Sequence, residues 1–193
     1  MTGITHTTAL WYASRATGVV TLLLLTGVLL LGILVNRQGR LPGLPSFAVT
    51  GLHRNVSLLA VAFLAIHVIT ALVDPYVTIG LAAAVLPFVS AYKPFWLGLG
   101  AISLDLIAAL ILTSLARARI SRRAWRGIHW LAYAAWPLAV VHSLGSSSDA
   151  RSGLVLSVLA GCVLAVAFAL AGRRGTAARP GRPRRPARSR LAR

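Results

Sequence analysis

Five apolar segments, each about as long as a lipid bilayer is thick, are the feature that most restricts how this chain can fold. A membrane-crossing helix needs about 20 residues at a rise of about 1.5 Å per residue. The fourth segment is close to the minimum for a crossing. We therefore predict an all-α membrane protein, a transmembrane helical bundle of five spans over residues 16–35, 51–73, 95–116, 127–144 and 153–171.

The composition agrees with a membrane location and excludes several kinds of chemistry. Hydrophobic residues make up 57% of the chain and charged residues 12%, about half the roughly 25% typical of soluble domains. Asp74, Asp105 and Asp149 are the only acidic residues, and Cys162 is the only cysteine. So few acids disfavour carboxylate-pair hydrolysis and carboxylate-rich metal cages, because both need several acids at one point. A single cysteine excludes zinc ribbons, iron–sulfur clusters and intrachain disulfides. Since Asp105 lies inside a predicted span, we expect a protonated acid bonded to Ser103 or another nearby hydroxyl.

The basic residues predict the orientation. The chain carries 20 of them for a net charge of +17, with nine after Gly172 and most of the others in the first and third connections between spans. Such charge holds its segment on the cytoplasmic side. We expect a multi-pass cell-membrane protein with its N-terminus outside and its C-terminus in the cytoplasm. No nucleic-acid binding is expected, since no reading motif accompanies the charge.

Two parts of the chain are expected to lie outside the spans. Residues 75–91 are semi-apolar and interrupted by Pro87, which predicts an interfacial segment on the outer face. A sixth crossing through Ile79–Ser90 is the alternative. Residues 173–193 are rich in Arg, Pro and Gly, which predicts a disordered cytoplasmic tail that anchors the topology or binds anionic membrane lipid.

Four of the five histidines lie inside predicted spans, where ionisable side chains are costly and usually functional. His53 and His67 are 14 residues apart on the second span, and His129 and His142 are 13 apart on the fourth. At about 1.5 Å and 100° per residue, His53 and His67 are about 21 Å apart and share one face. Because the second and fourth spans run in the same direction, His53 should be level with His129, and His67 with His142.

Each level therefore offers two imidazoles to one haem, whose iron takes nitrogen ligands on both sides of a flat macrocycle. We call the His53–His129 pair the inner level and the His67–His142 pair the outer level. The spacing of 13 fits less well, because it puts His129 and His142 about 140° apart on an ideal helix. We expect Pro137, which lies between them, to kink the helix and re-aim one ring.

Cations near each level are candidates for binding haem propionates, since guanidinium groups match carboxylates well. Arg54 and Arg126 are candidates at the inner level, with ordinary positive-inside charge as an equal alternative. Arg15 is the candidate at the outer level. It is preferred to the loop residues Lys93 and Arg151 because it begins a span.

These residues together resemble the ferric reductase-like transmembrane family. The family includes the membrane halves of NADPH oxidases and ferric-chelate reductases, and the haem subunit of a bacterial methionine sulfoxide reductase system. The resemblance covers roughly residues 11–149 and rests on His53-Arg54, on His67, and on the run WRGIHWLAY over residues 125–133 that leads to His142. The spacings of 14 and 13 match the family's two-haem members. The resemblance implies two b-type haems that pass electrons across the membrane.

No GxGxxG fingerprint or other phosphate-cradling glycine loop occurs in the chain, so no flavin or nicotinamide site is expected. The donor would be a cytoplasmic flavoprotein reductase or a quinol, and the outer acceptor a ferric chelate, oxygen, a quinone or a protein. We therefore expect residues 1–172 to form a di-haem electron-transfer domain, ferric reductase-like. Two alternatives stay open: a haem-bearing anchor for a separate catalytic redox protein, and a histidine-lined transporter of metal ions or protons.

Overall fold

The computed structural model describes residues 2–36, 45–75, 77, 79–146 and 153–177. All regular structure in these ranges is helical, which confirms the predicted all-α class. A short 3-10 helix over Arg117–Arg119 precedes the fifth α-helix. The α-helices of the described ranges are α1 (Thr2–Asn36), α2 (Ser46–Val73), α3 (Leu81–Val85), α4 (Pro94–Leu115), α5 (Arg122–His129), α6 (Ala132–Ser146) and α7 (Gly153–Ala177).

Four of these helices, α1, α2, α4 and α7, are long and apolar enough to cross a membrane. Large apolar side chains on their surfaces are exposed, including Leu58, Ile69 and Phe168. Such a surface suits lipid, and a helix satisfies its own backbone hydrogen bonds there. Prolines mark two helix starts, with Pro45 just before α2 and Pro94 as the first residue of α4, where the missing N–H is not needed. The chain is therefore a helical membrane bundle.

The predicted fourth span is not one helix. It consists of α5 and α6, which meet at Trp130 and Leu131. Here the backbone hydrogen bonds tighten, so that the N–H of Leu131 donates to the carbonyl of Ile128 and the N–H of Ala134 to that of Leu131. Helix α6 continues through Pro137. The break between α5 and α6 therefore lies at Trp130 and Leu131, before Pro137, and a kink at Pro137 stays a prediction.

Helix α1 organises the bundle. It packs along α2 and contacts α6 and α7, while α4 packs against α6. Trp136 of α6 lies between two buried clusters, and its indole N–H donates to the Thr26 hydroxyl of α1 at 2.9 Å. This bond fixes the depth of α6 relative to α1. The two clusters are Leu22, Val140 and Leu159, and Leu29, Ile33 and Val166.

The outer segment is helical only over the five residues of α3, which packs against α4. It bends back at Phe88, whose φ of 68° is in the left-handed region. The Phe88 ring lies directly on Gly98 of α4, where a Cβ would overlap it. Tyr76 and Thr78 lie outside the described residues.

Other boundaries and one contact differ from expectation. Helix α1 begins at Thr2, and α7 continues to Ala177, past the predicted start of the tail at residue 173. The Ser103 hydroxyl donates to the Ala135 carbonyl at 2.9 Å, and Asp105 is exposed on α4, so the expected bond between them is wrong. Three parts of the chain that carry predicted features lie outside the described residues. They are the connection with Arg37 and Arg40, the loop residue Arg151, and residues 178–193. The orientation of the termini stays a prediction.

Candidate functional site

The four span histidines form two pairs. The ring centroids of His53 and His129 are 6.4 Å apart, and those of His67 and His142 are 6.5 Å apart. Each pair joins a residue of α2 to one of α5 or α6, as the spacing predicts. Two imidazoles bonded to opposite sides of one ion, with metal–nitrogen bonds of about 2 Å, would have centroids about 6 Å apart. The observed separations fit that arrangement.

Three of the four rings are held by a hydrogen bond to a backbone carbonyl of a neighbouring helix. Nδ1 of His53 lies 3.1 Å from the oxygen of Val28, Nδ1 of His67 lies 2.8 Å from that of Ser14, and Nδ1 of His142 lies 2.8 Å from that of Trp96. A carbonyl only accepts, so Nδ1 carries the proton and Nε2 keeps its lone pair. Metal-binding histidines almost always donate their second ring nitrogen in this way. Each of the three rings thus presents an unprotonated Nε2.

A glycine accompanies each of these three bonds. Gly18 lies under the His67 ring, Gly32 under His53 and Gly100 under His142, with ring atoms 3.0, 3.4 and 2.6 Å from the position a Cβ would occupy. Each glycine comes four residues after the acceptor carbonyl. In a helix the carbonyl of residue i faces the residue at i+4, so a side chain there would cover it. Glycine at that position is what lets the imidazole reach the carbonyl.

His129 is held differently. Its Nδ1 is buried and has no hydrogen-bond partner among the described residues, and the same is true of the Trp125 indole nitrogen. Its ring instead stacks on Trp125, with centroids 4.7 Å apart and planes 24° from parallel. The Arg117 guanidinium lies 4.6 Å from the centroid of the Trp125 ring. An aromatic contact therefore takes the place of the hydrogen bond.

The junction between α5 and α6 accounts for the alignment of His129 with His142. Thirteen residues of ideal α-helix fall about 140° short of four whole turns. A 3-10 turn advances about 120° per residue rather than 100°. Over these five residues the tightened bonds from Trp130 to Ala134 rotate the two rings toward each other by up to about 100°, which is most of the shortfall.

A cavity of about 310 Å³ lies at the outer level. It is lined by both outer histidines, Gly18, Gly100, Arg15 and Asp74, and residues of the outer segment close one side. Arg15 stacks on Trp11 at 3.8 Å, so the expected outer cation is at the cavity. Lys93 is used elsewhere, since its Nζ donates to the carbonyls of Gly145 and Ser146 at 3.1 Å each and caps the end of α6.

The expected inner cations are less closely placed. Arg54 and Arg126 are both exposed. Arg54 follows His53 directly, and Arg126 is one turn from His129 on α5. No described contact of either side chain favours binding of a haem propionate over the alternative, which is ordinary positive-inside charge.

The sequence did not predict the roles of the three glycines or of Trp125, although Trp125 begins the run over residues 125–133. A signal for two of them was available, because Gly18 and Gly32 are separated by 14 residues, the same spacing as His53 and His67. Because α1 and α2 run in opposite directions, equal spacings place Gly18 against His67 and Gly32 against His53 at the same time. Gly100 and Trp125 had no comparable partner in the sequence.

The donor set favours haem over a bare metal ion. Among the described residues no group of three or more His, Cys, Asp or Glu side chains could hold an ion. Each level supplies two imidazoles, so the remaining metal ligands would have to come from the bound group itself. A porphyrin does so, and its iron takes axial imidazoles. The residues present therefore fit two haems, with His53 and His129 at one and His67 and His142 at the other.

Comparison with known proteins agrees with the geometry. No curated protein and no solved structure matches the chain. The family model described as "Ferric reductase like transmembrane component" matches residues 17–140. This range includes His53, His67 and His129, and it ends two residues before His142. The chain belongs to the ferric reductase-like transmembrane component family.

Proposed function

We propose that this protein is a di-haem b-type conduit that carries electrons from a cytoplasmic donor to an acceptor outside the membrane. One observation carries the proposal: two histidine pairs at two levels of one bundle, with centroids 6.4 and 6.5 Å apart. Family membership supports transmembrane electron transfer. A bound haem supplies an iron that alternates between ferric and ferrous states, so two levels about 20 Å apart along α2 provide two one-electron positions.

The chain's own part in this function is to hold the rings and exclude water. The carbonyls of Ser14, Val28 and Trp96 keep three imidazoles in one tautomer with Nε2 turned away from the helix backbone. Apolar helix faces surround the sites and set a low dielectric, which tunes a reduction potential. Arg15 supplies positive charge at the outer cavity, where a propionate would need it.

The donor is proposed to be a separate flavoprotein reductase or a quinol. The 3-10 helix and α5 present five arginines near the inner level: Arg117, Arg119, Arg122, Arg123 and Arg126. An acidic donor protein would be steered to such a surface. The acceptor would approach beneath the outer segment, whose residues line the outer cavity.

A histidine-lined metal transporter is less well supported. A path for ions needs successive sites with three or more ligands, and no such group occurs among the described residues. A haem-bearing anchor would bind the same haems but would not carry electrons across the membrane.

The test separates these functions. Protein purified with haem supplied during expression should give two b haems per chain in a pyridine haemochrome assay. Reconstituted into vesicles with ferricyanide trapped inside, it should oxidise a membrane-impermeant reductant added to the cytoplasmic face. A His67→Leu variant, matched by His6→Leu, should lose conduction while the control keeps it. Two haems without conduction would support the anchor, and folded protein without haem would overturn the proposal.

A further inference from the structure

The inner histidine His129 differs from the other three in what holds its ring. His53, His67 and His142 each have a carbonyl acceptor and a glycine beneath the ring. His129 has neither among the described residues, and its Nδ1 is buried without an acceptor. Buried donors are nearly always paired, so a ring left in this state needs another restraint.

We propose that Trp125 is the positioning residue for His129, and that the inner haem is the more easily reduced of the two. The inference rests on the proposed haem function. The Trp125 indole stacks on the imidazole, with ring centroids 4.7 Å apart and planes 24° from parallel, and this contact restrains the plane of the His129 ring. Trp125 lies one turn before His129 on α5, where side chains four residues apart meet.

Arg117 holds the indole in turn. Its guanidinium lies 4.6 Å from the Trp125 centroid, a cation–π contact between the 3-10 helix and α5. The three groups form a stack of guanidinium, indole and imidazole. Ring stacking restrains the plane of His129, whereas a hydrogen bond to a backbone carbonyl restrains each of the other three rings.

The missing acceptor has an electronic consequence. A histidine whose Nδ1–H is hydrogen-bonded is a more basic ligand and stabilises ferric iron. At the outer level both histidines have that bond, and at the inner level His53 alone has it among the residues that the structure describes. The inner haem should therefore have the higher reduction potential. The Arg117 guanidinium on the Trp125 ring acts in the same direction, because positive charge favours the reduced form.

The variants Trp125→Phe and Trp125→Leu separate ring stacking from mere bulk. Phenylalanine keeps an aromatic face and removes an indole N–H that has no hydrogen-bond partner in the described part of the chain, whereas leucine removes the face. Phe168→Leu is the control, since this aromatic side chain is exposed on α7, a helix that carries none of the four span histidines. The outer haem signal reports in each case that the bundle is folded.

Two measurements test the proposal. The ferric low-spin electron paramagnetic resonance signal depends on the angle between the two imidazole planes, and it should change for the inner haem in Trp125→Leu alone. Transfer of the inner haem to apomyoglobin should be roughly 2- to 10-fold faster in that variant, as loss of an aromatic pair contact implies. In potentiometric titrations, His142→Leu, which keeps the inner haem, should show a higher midpoint potential than His53→Leu, which keeps the outer one.

Each outcome decides the matter. Wild-type protein without haem would overturn the proposed function and this inference with it. Two haems in the wild type, with an inner signal that Trp125→Leu leaves unchanged, would overturn only the positioning role. A higher potential for the outer haem would overturn the assigned order.

Discussion

Replacing Gly100 with alanine should release the outer haem and spare the inner one. A Cβ at this position would lie 2.6 Å from Nδ1 of His142, whereas ordinary contact begins at 3.4 Å. The ring must therefore retreat by about 0.8 Å. A shift of that size takes the 2.8 Å bond to the Trp96 carbonyl beyond hydrogen-bonding distance.

The expected loss of haem retention follows from two destabilising effects and one stabilising effect. Overpacking a tight site costs about 1–3 kcal/mol, and loss of the bond costs about 0.5–1.5 kcal/mol. Higher helix propensity returns about 1 kcal/mol. The net cost of about 0.5–3.5 kcal/mol corresponds to roughly 2- to 400-fold weaker retention of the outer haem.

The assay is the rate of haem transfer to apomyoglobin, resolved into two phases, together with the haem content per chain. Gly32→Ala is the matched variant at the inner level, because its Cβ would be 3.4 Å from the His53 ring, in ordinary contact. Gly161→Ala on α7 has open space and should only stabilise its helix. Unchanged retention of both haems in Gly100→Ala would refute the argument that glycine opens the carbonyl to the ring.

Three further predictions concern the scaffold. Gly145→Ala should prevent formation of the outer site, measured by haem content, because a Cβ would overlap the Trp96 ring; normal outer haem would contradict this. Lys93→Met should lower the thermal midpoint of the outer haem's absorbance without changing its ferric spectrum, because two C-terminal carbonyls of α6 lose their donor, and an unchanged midpoint would count against the cap. Trp136→Phe should destabilise both sites by about 1 kcal/mol through the lost bond to Thr26, and a loss confined to one haem would show that Trp136 does not join the two levels.

The fold class and the histidine pairing could be predicted because both follow from periodicity. Apolar length predicts the helices, and equal spacings on parallel spans predict which rings meet. The break at Trp130 and Leu131 could not be predicted, because no proline or glycine lies at that point and the change is a tightening of backbone bonds. The contacts of Ser103 and Lys93 depend on neighbouring helices, whose rotation about their axes the sequence does not determine.

The most direct test of the account is the set of four single histidine variants, His53→Leu, His67→Leu, His129→Leu and His142→Leu, compared by low-temperature optical spectra of the reduced protein. We predict that the four spectra form two pairs, identical within each pair and different between them. His67→Leu and His142→Leu should each lack one haem, and His53→Leu and His129→Leu should each lack the other. The prediction rests on the ring separations of 6.4 and 6.5 Å within the two pairs. Matching spectra for His67→Leu and His129→Leu, different from those of the other two variants, would contradict the account.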